Sequence, residues 1–162
     1  MPSWWARKVR QFATHLHARV TPEERRELTA WLTPDQQYLF EAMHPADRRH
    51  GLDVVRRLRS EGWTDRDVLL AGLFHDSGKG RVGLWPRVAW ALGDRYGRLP
   101  RAAATVLPGF RAALRTLDRH PEASAELALR AGCTPRAADL IRRQEAPADA
   151  AGEALHRADE AS

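Results

Sequence analysis

Apolar residues recur every three or four positions along most of this chain, and strict alternation of apolar and polar residues is essentially absent. That spacing lines one face of a helix, whereas a half-buried strand needs a period of two. Leu52, Val55 and Leu58 make such a face, and Trp5, Val9, Phe12 and Leu16 make another near the start. The breaks between faces carry helix start and stop chemistry. Thr21-Pro22-Glu23-Glu24 and Thr33-Pro34-Asp35-Gln36 both read as capping boxes with proline at the first helical position. Thr134-Pro135 opens another helix, Gly132 closes the one before it, and Gly62 stops a third. Thr64-Asp65-Arg66-Asp67 is a capping pattern with an acid at the third helical position. Together these signals predict helices over 3–19, 22–31, 34–43, 46–60, 65–75, 82–96, 101–117, 121–131, 135–144 and 149–159. The expected fold class is all-α, a compact single-domain bundle of about ten helices.

Length and charge add limits. A chain of 162 residues is expected to form one domain, burying about 70% of its unfolded surface. Net charge is +5 and the isoelectric point is near 10.3, which favours anionic partners. The basic residues are spread along the chain with no nucleic-acid-binding signature, so a small phosphorylated molecule is expected rather than nucleic acid. Lysine occurs only at Lys8 and Lys79 among 26 basic residues, which makes Lys79 stand out. A single cysteine, Cys133, forms no internal disulfide and suits a reducing cytoplasm. No run reaches the roughly 18 apolar residues of a membrane span, and Arg7, Lys8 and Arg10 interrupt the N-terminal apolar residues. The expectation is a soluble cytoplasmic protein without signal peptide.

The chemistry concentrates in residues 70–80, Leu-Ala-Gly-Leu-Phe-His-Asp-Ser-Gly-Lys-Gly. An apolar helical run ends in His75-Asp76, one imidazole and one carboxylate, the ligand mix of divalent metals such as Mg, Mn, Fe or Zn. Neighbours on a regular helix diverge by about 100°, so the pair converges on one ion only if the helix ends there, as Ser77-Gly78 permits. Burying both groups without a partner would cost several kcal/mol. His50 lies on the preceding helix of a hairpin that returns it towards this end, and Leu155-His156-Arg157-Ala158-Asp159 offers a distant acid.

The order His50, His75-Asp76, Asp159, with Ser77-Gly78-Lys79 after the doublet, resembles the HD-domain superfamily of metal-dependent phosphohydrolases over residues 44–160. The resemblance implies that His50, His75, Asp76 and Asp159 ligate the metal, an ion of Mn, Fe, Co, Ni, Zn or Mg. It also implies a hydrolase acting on a phosphate ester, with nucleotide substrates the expected class. Asp76 and Lys79 are the expected catalytic residues, one orienting water and the other neutralising phosphate. Two-metal members use two further histidines. His120 is similar to the first, while the second falls where this chain has Gln144 or Glu145. One ion is therefore expected, with a second, held by His120 and Glu145, as the open alternative. Arg49 and the arginines at 142–143 are candidate substrate clamps, and His156 a candidate partner of the ligands. Residues 1–45 precede the match and are expected to be a helical extension packed on a 46–162 domain, with its tryptophans docked on the core or on a membrane surface. Residues 97–110 are expected to form a lid. Two other function classes remain: a degenerate HD domain that binds a nucleotide or protein partner without turnover, and a basic adaptor for nucleic acid or membrane.

Overall fold

A computed structural model describes residues 19–80, 82 and 109–162. Within them eight α-helices follow one another: α1 (Pro22–Trp31), α2 (Pro34–Ala42), α3 (Pro45–Ser60), α4 (Arg66–Phe74), α5 (Phe110–Asp118), α6 (His120–Arg130), α7 (Pro135–Arg142) and α8 (Ala150–Ala161). A single 3-10 turn, Ser77–Lys79, follows α4. There is no strand among the described residues, and the chain is all-helical there. The helices expected over 3–19 and 82–96, most of the expected lid, and Trp4, Trp5, Trp85 and Trp90 lie outside the described residues.

Local chemistry explains most of the boundaries. Both capping boxes form: Thr21 and Glu24 exchange hydrogen bonds of 3.3 and 2.7 Å, and Thr33 and Gln36 exchange bonds of 3.3 and 3.2 Å. Thr134 caps α7 through the Ala137 amide. Three boundaries differ from the spacing. α4 is capped by the Asp65 carboxylate, which accepts from the Asp67 amide at 2.9 Å, and not by Thr64. An ion pair with Arg136 at 2.8 Å holds that carboxylate in place. α3 starts after His44, whose Nδ1 accepts from the Ala46 amide, a capping role that the residue type conceals. The helix expected over 101–117 does not run through Gly109, whose φ of +80° ends any continuous helix and lets α5 start at Phe110.

α3 and α4 form the centre of the packing, and two glycines set their distance. A Cβ on Gly51 would stand 2.5 Å from the Leu73 carbonyl oxygen, and one on Gly72 would stand 2.8 Å from Leu58 Cδ1. At Gly51 the neighbour is backbone and cannot yield, so glycine there lets the two helices come this close and carries His50 towards the end of α4. Around this crossing Val54, Leu58, Val68, Leu73, Phe74, Ile141 and Leu155 are fully buried. Each contributes about 1.5–3 kcal/mol through removal of its apolar surface from water. Leu28, Leu39, Phe40 and Met43, from α1 and α2 and the end of α2, belong to the same cluster. Trp31 and Trp63 pack against it half-buried. No helix among the described residues is long and apolar enough to cross a membrane.

Candidate metal centre

Four elements bring the site together. Every residue from Val68 to Phe74 is buried, so α4 delivers His75 to the interior. His75 keeps helical backbone angles, but Asp76, at φ −103° and ψ 3°, leaves the helix. The turn is then tied down: the Gly78 amide donates to Ser124 Oγ on α6 at 2.8 Å. A Cβ on Gly78 would lie 2.6 Å from the Ser124 nitrogen and 2.7 Å from the His120 oxygen, so glycine is required for this approach. α3 supplies His50, and α8 supplies Asp159, one turn beyond the fully buried Leu155.

His50 Nε2 stands 2.7 Å from Asp159 Oδ1, and His75 Nε2 stands 3.3 Å from the same oxygen. The two imidazoles meet edge-on, 5.1 Å between centroids. One ligand atom from each of His50, His75 and Asp159 falls within 4.8 Å of the others. Ligands on a common ion at about 2.1 Å lie about 3.0–3.4 Å apart, so little rearrangement is needed to share one. Asp76 is not in this tight group. Its Oδ1 lies 3.6 Å from His75 Nε2 and 3.5 Å from His120 Nε2, while its Oδ2 accepts from Lys79 Nζ at 2.5 Å.

Two observations fit a cation. His75 Nδ1 lies 2.9 Å from the Gly72 carbonyl oxygen, which can only accept, so Nδ1 carries a proton and the neutral ring presents its lone pair at Nε2. That buried Nε2 has no hydrogen-bond partner among the described residues. A backbone carbonyl fixing the tautomer of a ligating histidine is the usual supporting arrangement of metal sites. The donor set of two imidazoles and nearby carboxylates suits a divalent ion of intermediate hardness.

In the ion-free protein the neighbouring carboxylates draw a proton onto His75 Nε2, which a bound cation would displace. Complete burial opposes charge on His75, yet Asp76 and Asp159 overcome it and lift its pKa to about 9. Burial also opposes ionisation of Asp76, but Lys79, His75 and His50 hold its carboxyl well below the usual range. Partial burial opposes ionisation of Asp159 too, yet His75 and His50 pull it down likewise. Lys79 is raised despite burial, because Asp76 binds it and Asp159 and Asp47 add to the field. The two carboxylates thus favour positive charge beside them.

The remaining expected residues divide. His120 is buried; its Nδ1 donates to the Leu117 carbonyl oxygen at 2.5 Å, and burial lowers its pKa. The residue that reaches it is Gln144, whose side-chain amide lies 3.0 Å from His120 Nε2. Glu145, the expected alternative ligand, is exposed at the end of α7 while Gln144 is turned inward. Arg49 is committed elsewhere: two of its nitrogens bond the Asp53 carboxylate and the third bonds Glu24, so it faces a structural network and not a substrate. Arg142 and Arg143 are exposed and pair with Asp139. His156 Nδ1 donates to the Gln144 carbonyl oxygen at 3.0 Å and thereby steadies the residue beside His120. Residue spacing did not signal Asp47 and Ser124, which are buried near the turn. Ser77 Oγ and Gln144 Oε1 have no hydrogen-bond partner among the described residues.

In comparisons with protein-family models, with curated proteins and with solved structures, nothing matches the chain.

Proposed function

We propose that the chain is a metal-dependent phosphohydrolase of the HD-domain type, acting on a nucleotide-like phosphate ester. The observation that carries this reading is the convergence of His50, His75 and Asp159 around the unpartnered Nε2 of His75, with Asp76 and Lys79 alongside. A divalent cation held by these ligands supplies Lewis acidity towards a phosphoryl oxygen and acidifies water. Asp76 Oδ1, between two imidazole nitrogens, orients the attacking water and accepts its hydrogen bond. Lys79, held at 2.5 Å by the other oxygen of Asp76, neutralises charge on the phosphate as a point cation. His120, with its Nδ1 proton committed to Leu117, can only accept at Nε2 in its neutral form.

The test is hydrolysis of p-nitrophenyl phosphate and its bis ester with Mn²⁺, Mg²⁺, Co²⁺ or Fe²⁺ added in turn. Turnover by the native chain, reduced about a thousandfold or more in Asp76→Ala with helicity kept, is expected. Full activity in that variant would overturn the assignment.

One observation favours a second reading, a degenerate domain that binds a nucleotide without turnover: Gln144 puts an amide against the His120 lone pair. Nucleotide binding without hydrolysis under every metal would select that reading.

A further inference from the structure

α5 carries Arg111 and Arg115 one turn apart on one exposed helix face, and Arg119 follows at the cap that joins α5 to α6. None has an ion-pair partner among the described residues. This sets them apart: apart from Arg19, the other described arginines meet a carboxylate or a carbonyl. Like charges at this spacing destabilise a helix, and Asp118 is the single acid that α5 carries. Leu114 and Leu117 dock the opposite side of the helix in the interior.

The unpaired face borders an opening. A groove of about 460 Å³ lies between α5, the 3-10 turn and α6, lined by Arg115, Arg119, Thr116, Ala112, Ala123 and Gly78. Ala112, Ala123 and Gly78 are small, which leaves the space open, and Arg115 and Arg119 supply donors, while the Thr116 hydroxyl donates to the Ala112 carbonyl oxygen. Gly78 lies two residues after Asp76 and immediately before Lys79, so the groove begins at the edge of the metal centre. Guanidinium groups bind phosphate through paired, charge-assisted hydrogen bonds.

We propose that this groove is an anion subsite that takes a second phosphate group of the substrate, one distinct from the phosphate attacked at the metal centre. The substrate class is then a small molecule bearing at least two phosphate groups, with Arg115 and Arg119 holding the unreactive one. The assignment to substrate rests on the phosphohydrolase reading, whereas anion binding in the groove does not.

Calorimetric titration of inorganic pyrophosphate into full-length, chelator-treated protein separates the two. The native chain is expected to bind pyrophosphate, and Arg115→Ala/Arg119→Ala to bind it about tenfold more weakly or worse. Asp159→Ala, which disrupts the metal centre, is expected to bind within about twofold of native. Arg130→Ala/Arg157→Ala, which removes two exposed arginines paired on other helices, is expected to match the native chain. All these substitutions except Asp159→Ala lie at exposed positions, and unchanged helicity confirms the fold. Absent binding, equal binding in the Arg115/Arg119 variant, or an equal loss in the Arg130/Arg157 control would overturn the subsite. Pyrophosphate binding that depends on Arg115 and Arg119, in a protein that hydrolyses no phosphoester, would keep the anion subsite and reject the phosphohydrolase reading alone.

Discussion

His50 and Asp159 are separated by 109 residues in the chain and by 2.7 Å in space. The same Asp159 oxygen lies 3.3 Å from His75 Nε2, so one carboxylate from the last helix closes a site begun by α3 and α4. A partly exposed acid holds such a position only if its helix is anchored.

Leu155 is that anchor. It is fully buried one turn before Asp159, and Gly72 of α4 lies against it, within 3.8 Å of a would-be Cβ. Leu155→Ala is expected to cost about 2–5 kcal/mol by transfer and cavity terms. Chemical denaturation should show that loss, together with weaker metal retention, and a cost under about 1 kcal/mol would mean that α8 is held by something else.

Gly78 joins the turn to α6. The clash of its added Cβ is with backbone atoms of Ser124 and His120, which cannot yield as a flexible side chain would. Gly78→Ala should therefore destabilise the protein by about 1–3 kcal/mol and displace Asp76 from His120. The thermal midpoint and the metal content are both expected to fall.

The metal-free protein should lose stability in alkali. The pKa of His75 is about 9 in the fold against an ordinary 6.5. A raised value contributes stability that is fully present below the unfolded pKa and is lost as pH rises through the folded one. Asp76 and Asp159 are depressed, so their contribution is present above the ordinary 3.8 and is lost only in strong acid. Asp76, Asp159, His50 and Lys79 are the groups that face His75 and set this balance. Thermal melts of chelated protein should decline between pH 6.5 and about 9, and His75→Gln should flatten that decline. A midpoint constant across the interval would contradict the charge arrangement.

Much of the scaffold was legible because it follows from short-range chemistry. Thr21, Thr33 and Thr134 announce their helices by side chains that satisfy amides three residues on. The His75-Asp76 break was legible for the same reason, since a buried apolar run cannot end in two polar groups without something to meet them. Contacts set by tertiary distance were not. Nothing in the spacing of Arg49 reveals that Asp53 and Glu24 occupy it, nor does residue type separate Gln144, which turns inward, from Glu145, which stays exposed. His44 reads as an ordinary surface histidine until its Nδ1 is seen capping α3. The looser position of Asp76 depends on Lys79 drawing away one of its oxygens, a competition that sequence order does not express.

The central claim is that His50, His75 and Asp159 hold a divalent cation. Elemental analysis of untagged protein purified without chelator tests it most directly, with His75→Ala and Asp159→Ala alongside. Asp159 is partly exposed, so its variant should keep the fold even if the buried His75 substitution does not. About one equivalent of metal per chain is expected in the native protein and less than about a tenth in either variant. Metal absent from the native protein even after reconstitution with Mn²⁺, Fe²⁺ and Zn²⁺, or retained in full by Asp159→Ala, would contradict it.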